Sequence, residues 1–90
     1  MKNLGIPLGY QQIVGLVAST ALTLPAGAKL AVVVTEAQAV RWRDDGTAPT
    51  AAIGMSLPVG VNLEYGGPNL AAIRFIQQAA TATLNVSYYA

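Results

Sequence analysis

The chain has 90 residues, of which 53% are hydrophobic and 10% are charged, and its formal net charge is +1. It contains neither histidine nor cysteine, so it lacks the commonest general base, the commonest metal ligand and any thiolate nucleophile. This small net charge also gives no electrostatic basis for binding nucleic acid, which requires a clustered basic patch.

The first residues are poorly suited to regular structure. Gly5 and Pro7 interrupt any pattern, so we predict an N-terminal arm over residues 1–9, ordered only locally or extended towards a neighbouring subunit. A single domain is expected over residues 10–90. Residues 10–19 could begin this domain as a short helix.

Residues 1–28 also imitate a secretory signal peptide. Lys2 supplies a positive charge, residues 13–24 are mostly apolar, and Ala26-Gly27-Ala28 has the form of a cleavage site. An internal duplication argues against this interpretation because it places residues 22–27 inside the folded domain, so no signal peptide is expected. No stretch approaches the roughly 20 continuous apolar residues of a membrane-spanning helix, and no membrane partner is expected.

The duplication has an offset of 33 residues. Thr23-Leu24-Pro25-Ala26-Gly27 aligns with Ser56-Leu57-Pro58-Val59-Gly60, and Ala39-Val40-Arg41-Trp42 aligns with Ala72-Ile73-Arg74-Phe75. We predict pseudo-repeats at about residues 20–47 and 53–80, followed by a C-terminal strand at 83–89. Two copies are too few for a solenoid and favour a closed sandwich or barrel with pseudo-twofold symmetry. Chance similarity in a biased composition is the alternative.

Alternating polar and apolar residues, separated by Pro/Gly turns, predict short strands along the chain. The predicted strands cover residues 20–24, 29–35, 38–43, 50–57, 61–65, 70–77 and 83–89. A helix over Leu70–Ala80 is the competing interpretation. The first repeat argues against it, because its matching segment, Ala39–Trp42, is followed one residue later by the turn residues Asp44-Asp45-Gly46. The expected fold class is therefore all-β: a small β-sandwich or jelly-roll-like barrel of seven or eight strands with internal pseudo-twofold duplication.

Alternation also assigns side chains to faces. Trp42 and its counterpart Phe75 are expected in the core, with arginines on the solvent side of the same strands. Exposed arginine and aromatic side chains are enriched in protein interfaces. The candidate interface residues are Arg41, Arg43, Arg74 and Tyr89.

The four carboxylates, Glu36, Asp44, Asp45 and Glu64, do not suggest a catalytic or metal site. A calcium ion needs six to eight oxygen ligands, and a glycosidase needs two carboxylates across a cleft. No histidine is present to activate a serine. We therefore predict that the chain is not an enzyme and has no catalytic residue, cofactor or metal site.

The charged fraction is far below the roughly 25% of ordinary globular domains. Low surface charge promotes association, and a chain this short buries a limited core. A compact, alanine-rich monomer is the simpler alternative, but we expect a homo-oligomer or a chain docked on a larger assembly.

Two segments resemble small structural proteins of tailed bacteriophages: Arg41-Trp42-Arg43-Asp44-Asp45-Gly46 and Leu84-Asn85-Val86-Ser87-Tyr88-Tyr89. The resemblance extends over residues 22–90. It implies a virion component made in the host cytoplasm, with the capsid surface as its favoured location. There it would act as a decoration (cement) protein that binds the major capsid protein as a homo-oligomer, with a trimer favoured. An accessory tail or neck component and a carbohydrate- or receptor-binding module on the virion are the alternatives.

Overall fold

The computed structural model describes residues 5–90, which form an all-β sandwich of two four-stranded antiparallel sheets. The eight strands are β1 (Pro7–Ile13), β2 (Thr20–Ala21), β3 (Leu30–Glu36), β4 (Val40–Arg43), β5 (Met55–Leu57), β6 (Leu63–Gly66), β7 (Arg74–Gln77) and β8 (Thr83–Tyr89). The predicted all-β class and sandwich architecture are confirmed. Residues 5–90 contain no helix that could span a membrane.

The strands are divided equally between two sheets. Sheet A has the order β1-β8-β3-β6, and sheet B has the order β2-β7-β4-β5. The Thr23 amide, just after β2, donates to Gln11 Oε1 on β1 over 3.2 Å. On the other side, Trp42 on β4 stacks edge-on against Tyr65 on β6, with ring centroids 5.9 Å apart. Thus β1 and β2 lie along one side of the sandwich, and β5 and β6 lie along the opposite side.

The core lies between the sheets and follows the two-residue period of the strands. Leu84, Val86 and Tyr88 on β8 are at most 1% exposed, as their alternation with polar residues predicted. Phe75 is fully buried on β7, and its cross-strand partner Trp42 is half-buried against the same cluster. The prediction that both aromatic residues face inward is therefore confirmed, although Trp42 keeps part of its ring at the surface.

The predicted N-terminal arm is wrong for residues 7–9. Strand β1 begins at Pro7 and pairs with β8 up to Ile13 opposite Leu84. Proline is tolerated as the first residue of an edge strand, where its missing N–H does not interrupt the ladder. A register shift between Pro7 and Gly9 absorbs the irregularity of this segment. The same strand also contradicts the short helix over residues 10–19, and residues 1–4 lie outside the described residues.

Three strands are much shorter than predicted. The expected strands at 20–24, 50–57 and 70–77 are reduced to Thr20–Ala21, Met55–Leu57 and Arg74–Gln77. Residues 51–54 bend instead of extending, and residues 67–72 form turns closed by the Leu70 amide on Gly67 O and the Ala72 amide on Asn69 O. The helix considered for Leu70–Ala80 is contradicted because its centre pairs with β4.

The structure agrees with the 33-residue offset in some places and departs from it in others. The amides of Ala28 and Val61 donate to the carbonyls of Pro25 and Pro58, so two turns recur at this spacing. Their third residues, Gly27 and Gly60, have φ values of 83° and 78°, which suits glycine. Strand β4 also overlaps β7 at this offset, and the two lie side by side in the centre of sheet B. Strand β2 would align with residues 53–54, which precede β5.

Strands β3 and β6 depart from the offset. Ala31 on β3 lies opposite Tyr65 on β6, and both face the core. An offset of 33 would instead align Ala31 with Glu64, which lies on the outer face. The inward-facing set is therefore shifted by one residue between the two strands, and the duplication stays a hypothesis.

Candidate functional site

Three of the four candidate interface residues lie together on the outer face of sheet B. Strands β4 and β7 pair so that Arg43 is directly opposite Arg74, and Arg41 lies two residues from Arg43 on the same side. These are the only arginines in the sequence. We call this surface, made of Arg41, Arg43 and Arg74, the arginine face.

Arg41 supports a loop. Its Nη1 donates to the carbonyl of Gly54 over 2.9 Å, and its Nε donates to the carbonyl of Ala51 over 3.1 Å. The side chain is half-buried against this bend, which leads into β5. Arg41 therefore holds the bend at residues 51–54 beside the arginine face. Its guanidinium is already hydrogen-bonded to two backbone carbonyls.

Arg43 has its own counter-ion. Its Nε and Nη2 donate to the two carboxylate oxygens of Asp45 over 3.0 and 2.5 Å, a bidentate ion pair. This hydrogen bond lowers the pKa of Asp45 and raises the pKa of Arg43. The Asp45 carboxylate also accepts a bond from the Thr47 amide, so the turn after β4 holds the pair in place.

Arg74 is the arginine to which residues 5–90 offer no side-chain partner. It is exposed, and its guanidinium makes no hydrogen bond or ion pair with the residues of the 5–90 range. Like charges directly opposite each other on neighbouring strands are destabilising, and Arg74 faces Arg43 in this way. An anionic group placed beside Arg74 would reduce this repulsion, and the planar guanidinium matches the geometry of carboxylate and phosphate groups.

The fourth candidate, Tyr89, lies on the other side of the molecule. It is half-buried on the outer face of sheet A, beside Leu30 on β3. The four predicted residues therefore do not form one surface, because Tyr89 belongs to a different sheet from the arginines.

A polar network crosses the outer face of sheet A. Tyr10 and Gln12 both donate to Asn85 Oδ1, and Asn85 Nδ2 donates to Glu36. The network ties together β1, β8 and β3 and satisfies these polar groups among themselves. Tyr10 still exposes 64% of its surface, so one aromatic ring lies open on this side.

Two other tyrosines have a perturbed pKa. The hydrogen bond that the Tyr65 hydroxyl donates to Asp44 over 2.5 Å, with burial, raises the pKa of Tyr65 to about 12. Burial raises the pKa of Tyr88 to about 12, and its hydroxyl donates to Gln11 Oε1 over 2.6 Å. Both hydroxyls join one part of the fold to another: Tyr65 bonds to Asp44 after β4, and Tyr88 on β8 bonds to Gln11 on β1.

Two open grooves in the surface are lined mainly by apolar or uncharged residues, with charged residues at one of them. A groove of about 250 Å³ borders the arginine face, where Arg43 and Asp45 meet the exposed apolar side chains of Ile53 and Met55. A second groove of about 430 Å³ lies between β1 and residues 23–25 and is lined by uncharged residues. Across residues 5–90, no group of three or more His, Cys, Asp or Glu side chains could hold a metal ion.

The sequence interpretation missed a set of exposed apolar side chains on and around β1 and β5. The sequence does indicate where these side chains lie, through two long stretches without charge. Residues 3–28 and 46–63 contain no charged residue, and these two stretches include both strands.

Comparisons with known protein families, curated proteins and solved structures find no significant match.

Proposed function

We propose that this chain is a non-enzymatic structural protein that docks its arginine face on an acidic protein surface. The observation that carries the proposal is the exposed Arg74 guanidinium, which has no partner among residues 5–90 and lies opposite Arg43 on the outer face of sheet B. A carboxylate bound by the Arg74 guanidinium would form charge-assisted bidentate hydrogen bonds, which are stronger than neutral ones.

The setting we propose is a bacteriophage virion, where the chain would decorate the capsid and bind the major capsid protein. The support for this setting is the resemblance of residues 41–46 and 84–89 to phage structural proteins. A decoration protein acts by binding only the assembled state, so its binding free energy adds to the stability of the particle. A tail or neck component would use the same face in the same way.

The test compares three single variants in their binding to the particle. Arg74→Glu should lower occupancy on isolated capsids at least about tenfold, since interface arginines contribute about 2 kcal/mol or more when they act as hot spots. Arg74→Lys should retain part of the binding, because lysine keeps the positive charge but cannot form the two parallel hydrogen bonds of a guanidinium. Occupancy is measured by quantitative gel analysis of sedimented particles at several salt concentrations.

Lys29→Glu is the matched control, because it makes the same change in net charge just before β3, away from the arginine face. Equal losses from Arg74→Glu and Lys29→Glu would show that only net charge matters and would overturn the docking face. Particles without the chain that withstand heat and pressure as well as intact ones would exclude cementing. Binding to glycans in place of capsids would favour the carbohydrate-binding alternative, for which the open ring of Tyr10 is the observation.

A further inference from the structure

The exposed large hydrophobic side chains of residues 5–90 come from two short segments of the chain. The first contains Ile6, Leu8, Tyr10, Val14 and Val17, and the second contains Ile53, Met55, Val59 and Val61. Exposed fractions range from 36% for Leu8 to 75% for Val17. We call the first group the β1 edge and the second the β5 edge, after the strand that each one includes.

These two groups lie on opposite sides of the sandwich. Strand β1 is an outer strand of sheet A, and β5 is an outer strand of sheet B. The hydrogen bond from the Thr23 amide to Gln11 places β1 beside β2, while the contact of Trp42 with Tyr65 places β6 beside β4 and β5. The β1 edge and the β5 edge therefore face away from each other.

Both edges are free of charge. Neither residues 5–28 nor residues 46–63 contain a charged side chain. The ions that border the β5 edge, Arg43 and Asp45 beside Ile53 and Met55, are already paired with each other. The cores of protein interfaces show the same depletion of charge. Two uncharged apolar edges also match each other better than they match an acidic or basic partner.

Among residues 5–90, β1 pairs only with β8 and β5 only with β4, so each of these outer strands has one side without a strand partner. Natural proteins protect such strands with charged residues, proline or bulges, because an open edge pairs readily with another chain. In β1 this protection is confined to the start, at Pro7 and the register shift before Gly9. Residues 10–13 carry no charge, and β5 between Met55 and Leu57 carries none either.

We propose that a second copy of this chain covers these surfaces, with the β1 edge of one copy packed against the β5 edge of the next. A head-to-tail contact of this kind buries both edges of every copy in a closed ring, or of every internal copy in an open stack. Self-pairing would instead require two different interfaces, β1 with β1 and β5 with β5, each complementary to itself.

The surface area of the chain is sufficient for this arrangement. A stable interface buries about 800 Å² on each partner. Two such contacts would cover about one third of the 4902 Å² exposed by one copy. The arginine face lies on the broad outer side of sheet B, so it would stay open, and this inference does not depend on the proposed function.

The test uses two double variants of equal charge. Ile6→Lys with Val14→Lys places two cations on the β1 edge, and Ile53→Lys with Met55→Lys places two on the β5 edge. Molar mass is measured by light scattering after size-exclusion chromatography over a range of concentrations. We expect the wild-type chain to form particles of three or more copies, each double variant to be a monomer, and their equimolar mixture to form a 1:1 dimer.

The molar mass of the mixture distinguishes head-to-tail contact from self-pairing. In a head-to-tail contact, the intact β5 edge of one variant binds the intact β1 edge of the other. In self-pairing, each variant would dimerise alone, and that outcome would overturn the proposal. A wild-type chain that stays monomeric at every concentration would overturn it as well, whatever the capsid experiment shows.

A matched control carries the same charge elsewhere. Ala71→Lys with Ala72→Lys changes two exposed positions in the turn before β7 and should leave the molar mass of the assembly unchanged. If a double variant does not fold by circular dichroism, Val17→Lys or Val59→Lys replaces it, since both positions lie in loops.

Discussion

Arg41 shows how one side chain can have a structural role that its sequence environment does not indicate. Its alternation with Val40 and Trp42 predicted an outward arginine, and the β4–β7 pairing places it on the outer face of sheet B. The guanidinium then turns to the bend at residues 51–54 and donates to two of its carbonyls. Among the three arginines, Arg74 is therefore the better candidate for binding a partner, and Arg41 the better candidate for stability.

We expect Arg41→Ala to lower the free energy of unfolding by about 1–2 kcal/mol, because two charge-assisted hydrogen bonds to backbone carbonyls are lost. Urea unfolding followed by tryptophan fluorescence measures this change. Protease cleavage within residues 46–54 should become faster in the same variant. Arg74→Ala is the control and should lower neither the free energy of unfolding nor the protease resistance of residues 46–54, since its guanidinium has no partner among residues 5–90.

At the scale of elements, β3 has an unusual distribution of apolar residues. Its run Val32-Val33-Val34 is typical of a strand buried on both faces. In the sandwich only Val33 is fully buried, whereas Val32 and Val34 lie half-exposed on the outer side of sheet A. The polar Thr35 is buried instead, and its hydroxyl is satisfied by donating to the Gln38 carbonyl over 2.6 Å.

The two recurring turns provide a prediction at this scale. We expect Gly27→Ala and Gly60→Ala each to cost about 1–2 kcal/mol, because an L-residue is strained at a positive φ. The two costs should be similar and should add in the double variant, since the turns are separate. Thermal and urea unfolding measure them.

Gly9→Ala is the control for the turn variants. A Cβ there would have its nearest contact at 3.8 Å, with Pro25, and φ is not in the left-handed region. It should be nearly neutral. A cost at Gly27 but not at Gly60 would show that the two turns are not equivalent.

For the whole molecule, the two hydroxyls of Tyr65 and Tyr88 couple stability to pH. Both groups have a pKa raised from 10.0 to about 12 in the folded chain. The unfolded chain loses these protons near pH 10, whereas the folded chain retains them to about pH 12. Their contribution is fully present below pH 10 and is lost as the pH rises from 10 to 12.

We therefore expect the free energy of unfolding to fall with increasing pH over that window, and to fall less steeply in a Tyr65→Phe, Tyr88→Phe double variant. Urea unfolding at a series of alkaline pH values measures the slope, and the absorbance of tyrosinate follows the ionisation. The same slope in the wild-type chain and the double variant would contradict this origin of the pH dependence.

The sequence by itself determined the all-β class, the exact extent of β8 and the inward position of Phe75. These follow from a two-residue period, which depends only on neighbouring residues along the chain. Local pattern also placed Arg41 and Arg74 on the outer side of their strands. It did not find that Pro7 begins a strand, because only pairing with β8 compensates for its poor strand propensity.

The tertiary structure alone decided which side chains share a surface. Arg43 and Arg74 are 31 residues apart and become neighbours only through the register of β4 and β7. Tyr89 was grouped with them from its sequence, yet it lies on the other sheet. The same holds for the two uncharged edges, since the order of strands in each sheet places them on opposite sides. Strand order and register depend on contacts between distant residues, which a local pattern does not encode.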